Sequence, residues 1–373
     1  MKIDWTIGVE LELLAPAGRS RRDLAERIAA RLGGTVVPFF LHQEEPSEVP
    51  GMGLFNNLTL GFEVTLPGEG WAARCVDDLT LQDDLDRKAP PKPGWFRVVS
   101  DDRRLLELVS RHGRADQGIA GAVTPLAALF GTTPQPGPDG MLRVTDRLGA
   151  PIAIGARLPG ERERPCELIT PPMAADHAEH LGALLSDASA LGFTVAKEAA
   201  THVHFDNRAL QSASTVANLV HLLTAWSGWL RVLVQTNPRC RRLGGWTPKL
   251  LELTGDARFR QLPWSLARQR LQALKLSKYR DVNLKNLVHD IPGKPTVEFR
   301  IMPGTMDPAE VLAGAALFSA LLAVARRPQP IAQEEPRSWD AAAVGRALAA
   351  LPMDVHAQAW WDARVSECLP QSK

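Results

Sequence analysis

The sequence predicts an α+β protein built on an antiparallel sheet. Three observations carry that reading. Strand-like segments crowd the first part of the chain, the long helical patterns lie in the second half, and few strand–helix–strand units of the parallel-sheet kind can be traced. Residues Trp5 to Leu14 alternate apolar and polar and read as a strand. Ser20, with Asp23 three residues on, caps a helix whose Leu24, Ile28 and Leu32 share one face, and Gly33-Gly34 stops it. Thr35 to Leu41 is apolar and β-rich, Leu58 to Leu66 alternates around Glu63, and Trp95 to Val99 is a further strand ending at Ser100-Asp101-Asp102.

From 113 to 165 glycine, proline and small residues dominate. This reads as an irregular connection or an insertion with short strands of its own, at Leu142 to Thr145 and Ile152 to Gly155. Arg157 to Arg164 reads as a charged, mobile loop. Ala174 to Leu191 is a helix, after which Phe193 to Ala196 and Thr201 to Asp206 are expected to pair as strands. Ser214 to Gln235 is a long apolar-faced helix, Leu266 to Leu276 a basic one, and Thr296 to Met302 a strand. Asp307 caps a helix running to about Arg326, Pro328-Gln-Pro330 breaks it, and Ser338 onward is helical. The expected organisation is one domain over 1–335 and a helical tail over 336–373.

Composition narrows the function. The 373 residues are 45% hydrophobic and 23% charged, a globular balance. Lys plus Arg is 43 against 42 Asp plus Glu, a net charge of +1, so no global field steers nucleic acid or an anionic membrane. Cys75, Cys166, Cys240 and Cys368 form no CxxC pair and suit reduced thiols. The apolar stretch from Val311 to Ala325 is short for a membrane span, and the N-terminus opens on a strand pattern rather than a leader. A soluble cytoplasmic protein is the expectation.

Four segments carry the chemistry: Gly8-Val9-Glu10-Leu11-Glu12-Leu13, Cys166-Glu167-Leu168-Ile169-Thr170-Pro171-Pro172, His202-Val203-His204-Phe205-Asp206 and Thr296-Val297-Glu298-Phe299-Arg300. In a strand, residues i and i+2 share a face. Glu10 with Glu12, His202 with His204, and Glu298 with Arg300 therefore point the same way, while Val9, Leu11, Val203, Phe205, Val297 and Phe299 pack on the other side. Taken singly, each motif has an ordinary explanation: the wet face of an edge strand, a satisfied core histidine beside a surface one, or a weak same-face ion pair. Four together on an otherwise apolar pattern are another matter.

Carboxylates at i and i+2 stand roughly 6.6 Å apart, a spacing for two neighbouring cations rather than one shared ion. Oxygen-rich ligation selects Mg²⁺ or Mn²⁺, and the lack of a Cys-rich or His₃ set disfavours a zinc hydrolase. A nearby arginine would neutralise phosphate oxygens. Divalent ions plus arginine are the working parts of phosphoryl transfer. No Walker loop, dinucleotide fingerprint or G-x-S-x-G elbow is present, so a nucleotide would be held through the metals and the sheet surface.

The ordered set GVELE, CELITPP, HVHFD, the segment Lys278-Tyr279-Arg280-Asp281-Val282-Asn283, and VEFR resembles the amidoligase family. That family belongs to the carboxylate–amine ligase superfamily, with glutamine synthetase and glutamate–cysteine ligase, and the resemblance runs from about residue 7 to 305. It implies a curved, mainly antiparallel sheet with helices packed on one side. It also implies an ATP-dependent ligase that phosphorylates a substrate carboxylate and lets an amine displace the phosphate. By that likeness Glu10, His202 and Glu298 hold one Mg²⁺ or Mn²⁺, and Glu12 with Glu167 another, joined by Glu163. Arg300 stabilises the transferring phosphoryl group, His204 lies near the nucleotide phosphates, and Lys278 is a further nucleotide contact. Glu10, Glu298 and Arg300 are the catalytic candidates.

Asp101, Asp102 and Asp146 compete for an aspartate that relatives often place before the CELITPP-like segment. Partners would be small-molecule or peptide carboxylates and amines, with no nucleic acid or membrane, and homo-oligomers are compatible. The basic run Arg239, Arg241 and Arg242 and the cations Arg268, Arg270, Lys275 and Lys278 read as solvated faces or as nucleotide and acidic-substrate contacts. Two other readings stand beside the ligase: a metal-dependent hydrolase acting without ATP, and a non-catalytic interaction module on the same fold.

Overall fold

A computed structural model of the chain describes residues 1–46, 54–68, 70–240, 242–291, 293–331 and 340–369. The protein is α+β, with strands paired mostly antiparallel. The opening follows the sequence pattern as β1 (Ile7–Leu14) and α1 (Arg21–Leu32). Ser20 and Asp23 close a capping box, and Gly33 ends the helix at φ 66°, a left-handed turn that glycine takes without strain. Then come β2 (Thr35–Pro46), β3 (Leu54–Leu66), β4 (Gly70–Val76), β5 (Phe96–Ser100), α2 (Arg103–His112) and α3 (Gly118–Leu129). The short strands β6 (Gln135–Pro136), β7 (Leu142–Thr145), β8 (Pro151–Arg157) and β9 (Pro165–Ile169) lead to α4 (His177–Ala190) and β10 (Thr194–Val195).

The second half holds β11 (Ala200–Asp206), α5 (Ala213–Leu233), α6 (Pro248–Gly255), α7 (Ala257–Arg260), α8 (Trp264–Ala273), β12 (Val282–Asn283) and α9 (Lys285–His289). It closes with β13 (Thr296–Pro303), α10 (Pro308–Ala325), α11 (Ala341–Ala349) and α12 (Val355–Cys368). Ser338, where the sequence places the start of the last helical segment, lies outside the described residues, as does Arg241.

The chain forms two compact units, one of Met1–Leu11, Pro172–Leu185 and Glu198–Lys373, the other of Glu12–Pro171 and Ser186–Lys197. In the first, β12, β13, β11 and the start of β1 lie in that order, antiparallel. Val9, Leu11, Val203, Phe205, Val297 and Phe299 are all buried, as their alternation requires. They meet α10, where Phe318 stacks on Phe299 at 4.3 Å and Phe205 meets Phe299 edge-on at 5.7 Å. Each such ring removed from water contributes about 1.5–3 kcal/mol. Among the described residues α10 alone is long and apolar enough to cross a membrane, yet its Leu317, Phe318 and Leu321 are wholly buried in the protein.

In the second unit β3 carries β2 along one edge and β4 and β5 along the other. β9 joins β4, and β8 and β7 extend the order beyond β5. Here the structure decides between two readings and corrects two expectations. Of the two readings of the Gly/Pro-rich stretch, the short strands hold, as β7 and β8, and the irregular connection does not: α3 packs on β8, and a Cβ on Gly155 would stand 2.5 Å from Ile119 Cγ2. Glycine there serves close helix–strand approach. The charged segment to Arg164 is tied down rather than mobile. Arg162 pairs with buried Asp77, and Glu163, 3% exposed, pairs with Lys92 at 2.6 Å. Finally, Thr194–Val195 does not pair with β11. It pairs with Leu13 and Leu14 of β1, while β11 takes Ile7 to Leu11 of the same strand. β1 is long enough to accept both, so the connection runs on instead of reversing as a hairpin.

Candidate functional site

The polar face of β1, β11 and β13 in the first unit gathers the side chains that alternation assigns to it. Register decides which meet. Glu10 stands opposite His202 on β11, and His204 stands opposite Glu298 on β13. On the other side of His204, β1 presents Gly8, which has no side chain to fill the face. A register shift between Thr201 and Val203 marks a bulge in β13 beside His202, at the level of Arg300 and Ile301. Such bulges bend a strand and re-aim its side chains. Arg300 turns its guanidinium onto Glu298 Oε1, and its backbone N–H donates to Asp281 O at 2.9 Å.

The distances are short and mutual. His202 Nδ1 lies 3.2 Å from Glu10 Oε2 and 3.4 Å from Glu298 Oε1, and His204 Nε2 lies 3.2 Å from Glu10 Oε1. His204 Nδ1 is 3.2 Å from Thr296 Oγ1, which also accepts from Asn286 Nδ2 at 3.2 Å. Asn283 Nδ2 donates to Glu298 Oε2 at 2.7 Å. The Asn283 orientation is unambiguous, because its Oδ1 accepts from the Lys285 N–H at 2.8 Å. Asn283, Asn286 and Thr296 had no role assigned from sequence, although Asn283 belongs to the Lys278–Asn283 motif. Their work is to hold other side chains, and single residues carry no periodic signal for that.

Charge balance explains the site's titration. Burial pushes the Glu10 carboxyl up, but the His204 charge and the bonds from both histidines outweigh it and hold Glu10 well below the usual carboxylate range. Burial also pushes Glu298 up. His204, Arg300 and His202 overcome both that and the like charge of Glu10, and its pKa falls. For His204, burial opposes the charge, yet the two carboxylates win and raise its pKa. In the cation-free protein the two carboxylates thus contribute stability that is present above their unfolded pKa values and lost as pH falls through the lowered folded ones. His204 contributes stability present below its unfolded pKa and lost as pH rises through the raised folded one.

Ligand atoms of Glu10, His204 and Glu298 all lie within 4.8 Å of one another. Two carboxylates and one imidazole fit Mg²⁺ or Mn²⁺. In the cation-free protein the His204 proton and Arg300 balance the charge that a cation would balance. Binding at this triad must then release the His204 proton. Below the His204 pKa the Mn²⁺ association constant should rise about tenfold per pH unit, read by titration calorimetry in buffers of different ionisation enthalpy. A pH-independent constant with no proton release would remove His204 from the ligand set.

Asn283→Ala should weaken Mn²⁺ binding by about 10–100-fold, since it frees the Glu298 carboxylate to rotate. Asn283→Asp should be worse, because it sets a second carboxylate against the first. Equal affinities in the same titration for Asn283→Ala and the parent protein would show that the amide does not position Glu298.

Glu12 is buried in β1 on the Glu10 face, and Glu167 is half-buried on β9 opposite Val76, both within the second unit. Glu163, in the same unit, holds Lys92. Lys278 is exposed in the loop before β12, its ammonium 5.3 Å from the Tyr279 ring centroid. Of the competing aspartates, Asp102 caps α2 through the Arg104 N–H at 2.8 Å, and Asp146 accepts from Leu148 and Ala150 N–H at 2.8 Å each. Both carboxylates are committed to local turns, and Asp101 is exposed.

A family model described as "putative amidoligase enzyme" matches residues 4–322. Compared with curated proteins, the chain matches none. The matched span includes Glu10, His202, His204, Glu298 and Arg300.

Proposed function

Because the chain belongs to the amidoligase family, we propose that it is an ATP-dependent carboxylate–amine ligase working through an acyl phosphate. The observation that carries the proposal is the convergence of Glu10, His202, His204, Glu298 and Arg300 on one face of three adjacent strands. The reading includes the curved, glutamine synthetase-like sheet and a cytoplasmic setting.

Carboxylate oxygen is a poor leaving group. Transfer of the ATP γ-phosphoryl to a substrate carboxylate makes it a good one, and the amine then forms the amide as phosphate departs. Bound Mg²⁺ or Mn²⁺ would neutralise phosphate oxygens during that transfer. Glu10, His202 and Glu298 are proposed to hold one cation, and His204, whose ligand atom lies within 4.8 Å of those of both acids, is a second imidazole for it. Glu12 and Glu167 are proposed for a second cation. Arg300, held by Glu298 and 12% exposed, keeps a fixed positive charge for the transferring phosphoryl group. Lys278 is proposed as a nucleotide contact.

The test is ADP release with ATP and Mg²⁺ or Mn²⁺ against a pool of amino acids, peptides and polyamines, beside a Glu298→Ala control. Release that needs both an acid and an amine and is lost in the control supports the ligase. ATP-independent turnover of a peptide or phosphoester would replace it with the hydrolase, and absence of metal and nucleotide binding would leave a non-catalytic module.

A further inference from the structure

The sequence from 239 to 285 carries twelve Lys and Arg against three Asp and Glu, in a protein whose net charge is only +1. The structure folds the two ends of this basic stretch together within the first unit. Arg280 donates to Gly245 O at 2.8 Å, Asp281 N donates to Gly244 O at 2.9 Å, and the Arg242 guanidinium lies 5.0 Å from the Tyr279 ring centroid. Lys278 lies on the same ring at 5.3 Å. Thr247 and Leu250 from one segment and Leu276 and Ser277 from the other line a common void. Lys249 and Lys275, both exposed, adjoin these lining residues in sequence.

Among the described residues no carboxylate pairs with Arg242, Lys249, Lys275, Lys278 or Arg280, and the one acid in the cluster, Asp281, is taken by Arg231. Unpaired cations held together repel each other, and a surface of this kind suits an anion. Its position joins it to the candidate site. The segment runs directly into Asn283, which holds Glu298, and the Asp281 carbonyl receives the Arg300 N–H.

We propose that this surface docks an acidic polypeptide, and that the carboxylate amidated at the neighbouring site belongs to that chain. The inference rests on the ligase reading for its second half. Two observations and one chemical requirement favour an acidic polypeptide over other anions. Lys249, Lys275 and Lys278 are exposed, which suits an extended partner lying on the surface. The void beside them is about 10 Å³, room for one water and not for a purine. Unlike a nucleic acid, a Glu/Asp-rich segment brings side-chain carboxylates to the site. One carboxyl would accept the ATP γ-phosphoryl, and the amine would displace phosphate and lose a proton, leaving amide, ADP and phosphate.

The test is fluorescence anisotropy of fluorescein-labelled decaglutamate on the full chain, without metal or nucleotide. Binding should weaken as NaCl is raised and fall roughly tenfold in Lys249→Glu/Lys275→Glu, with a smaller loss in Lys249→Gln/Lys275→Gln. Circular dichroism melts of each variant show that it is folded. Binding that ignores charge reversal overturns the proposal. Tighter binding of a thymidine decanucleotide assigns the surface to nucleic acid, and ATP binding that itself falls in Lys249→Glu/Lys275→Glu assigns it to the nucleotide; either overturns it. ADP release with small acids and amines is assayed separately. That release without decaglutamate binding sinks this proposal alone, whereas binding without release from any acid–amine pair, decaglutamate included, sinks the ligase and with it the substrate assignment.

Discussion

Glu298→Gln should reduce Mn²⁺ affinity by more than roughly 100-fold and abolish any cation-dependent turnover. Glutamine keeps the shape and can still accept from Asn283, so the packing of β13 should survive. What it removes is the negative charge shared by His202, His204 and Arg300. Without it the His204 pKa should move down toward that of a free imidazole, because Glu298 is one of the two carboxylates that raise it. Two readouts separate a ligand from a merely structural acid: Mn²⁺ binding by calorimetry, and the His204 titration followed by nuclear magnetic resonance. A variant that binds Mn²⁺ as the parent does would exclude Glu298 from the cation site. Glu298→Ala is the harsher change, since it also leaves Arg300 and the Asn283 amide without their acceptor.

The second large effect is on stability and falls far from the chemistry in sequence. Asp77→Ala should cost about 3–5 kcal/mol of unfolding free energy. Asp77 is 1% exposed and lies 3.7 Å from the wholly buried Arg21, and Arg162 reaches it from the charged segment. Arg21 also spends two donors on the backbone carbonyls of Leu60 and Arg162 and stacks over Trp95 at 4.5 Å. Removing the carboxylate leaves two guanidinium groups in a low-dielectric interior without their acid, the costly way to break a buried pair. The comparison is Glu63→Ala, whose partner Arg74 is more than a third exposed and which should change stability by about 0–1 kcal/mol. Urea denaturation of both variants decides it: equal small losses would mean that the Asp77 cluster is solvated or dispensable.

The polar face of the site was legible before the fold because a strand's period is two. Glu298 and Arg300, or His202 and His204, must share a face wherever the strand goes, and their apolar neighbours must share the other. Phe205 and Phe299 do so against α10. The helices with strong caps, such as that after Ser20 and Asp23 or that after Asp307, were legible for the same local reason. Composition left the Gly/Pro-rich stretch open between loop and strand, and charge misled where tertiary packing overrode its usual meaning. Arg162 and Glu163 look like a solvated loop, yet Arg162 pairs with buried Asp77 and the Glu163 carboxylate is itself buried against Lys92.

By itself, then, the sequence determined the α+β class, the faces of the strands and the identity of the acids and imidazoles, all set by interactions a few residues long. Only the tertiary structure decided register: that Glu10 faces His202, that His204 faces Glu298, and that Asn283 and Thr296 hold them. Register depends on which strands become neighbours, a choice made by burying apolar faces between residues hundreds of positions apart. No local pattern encodes that choice.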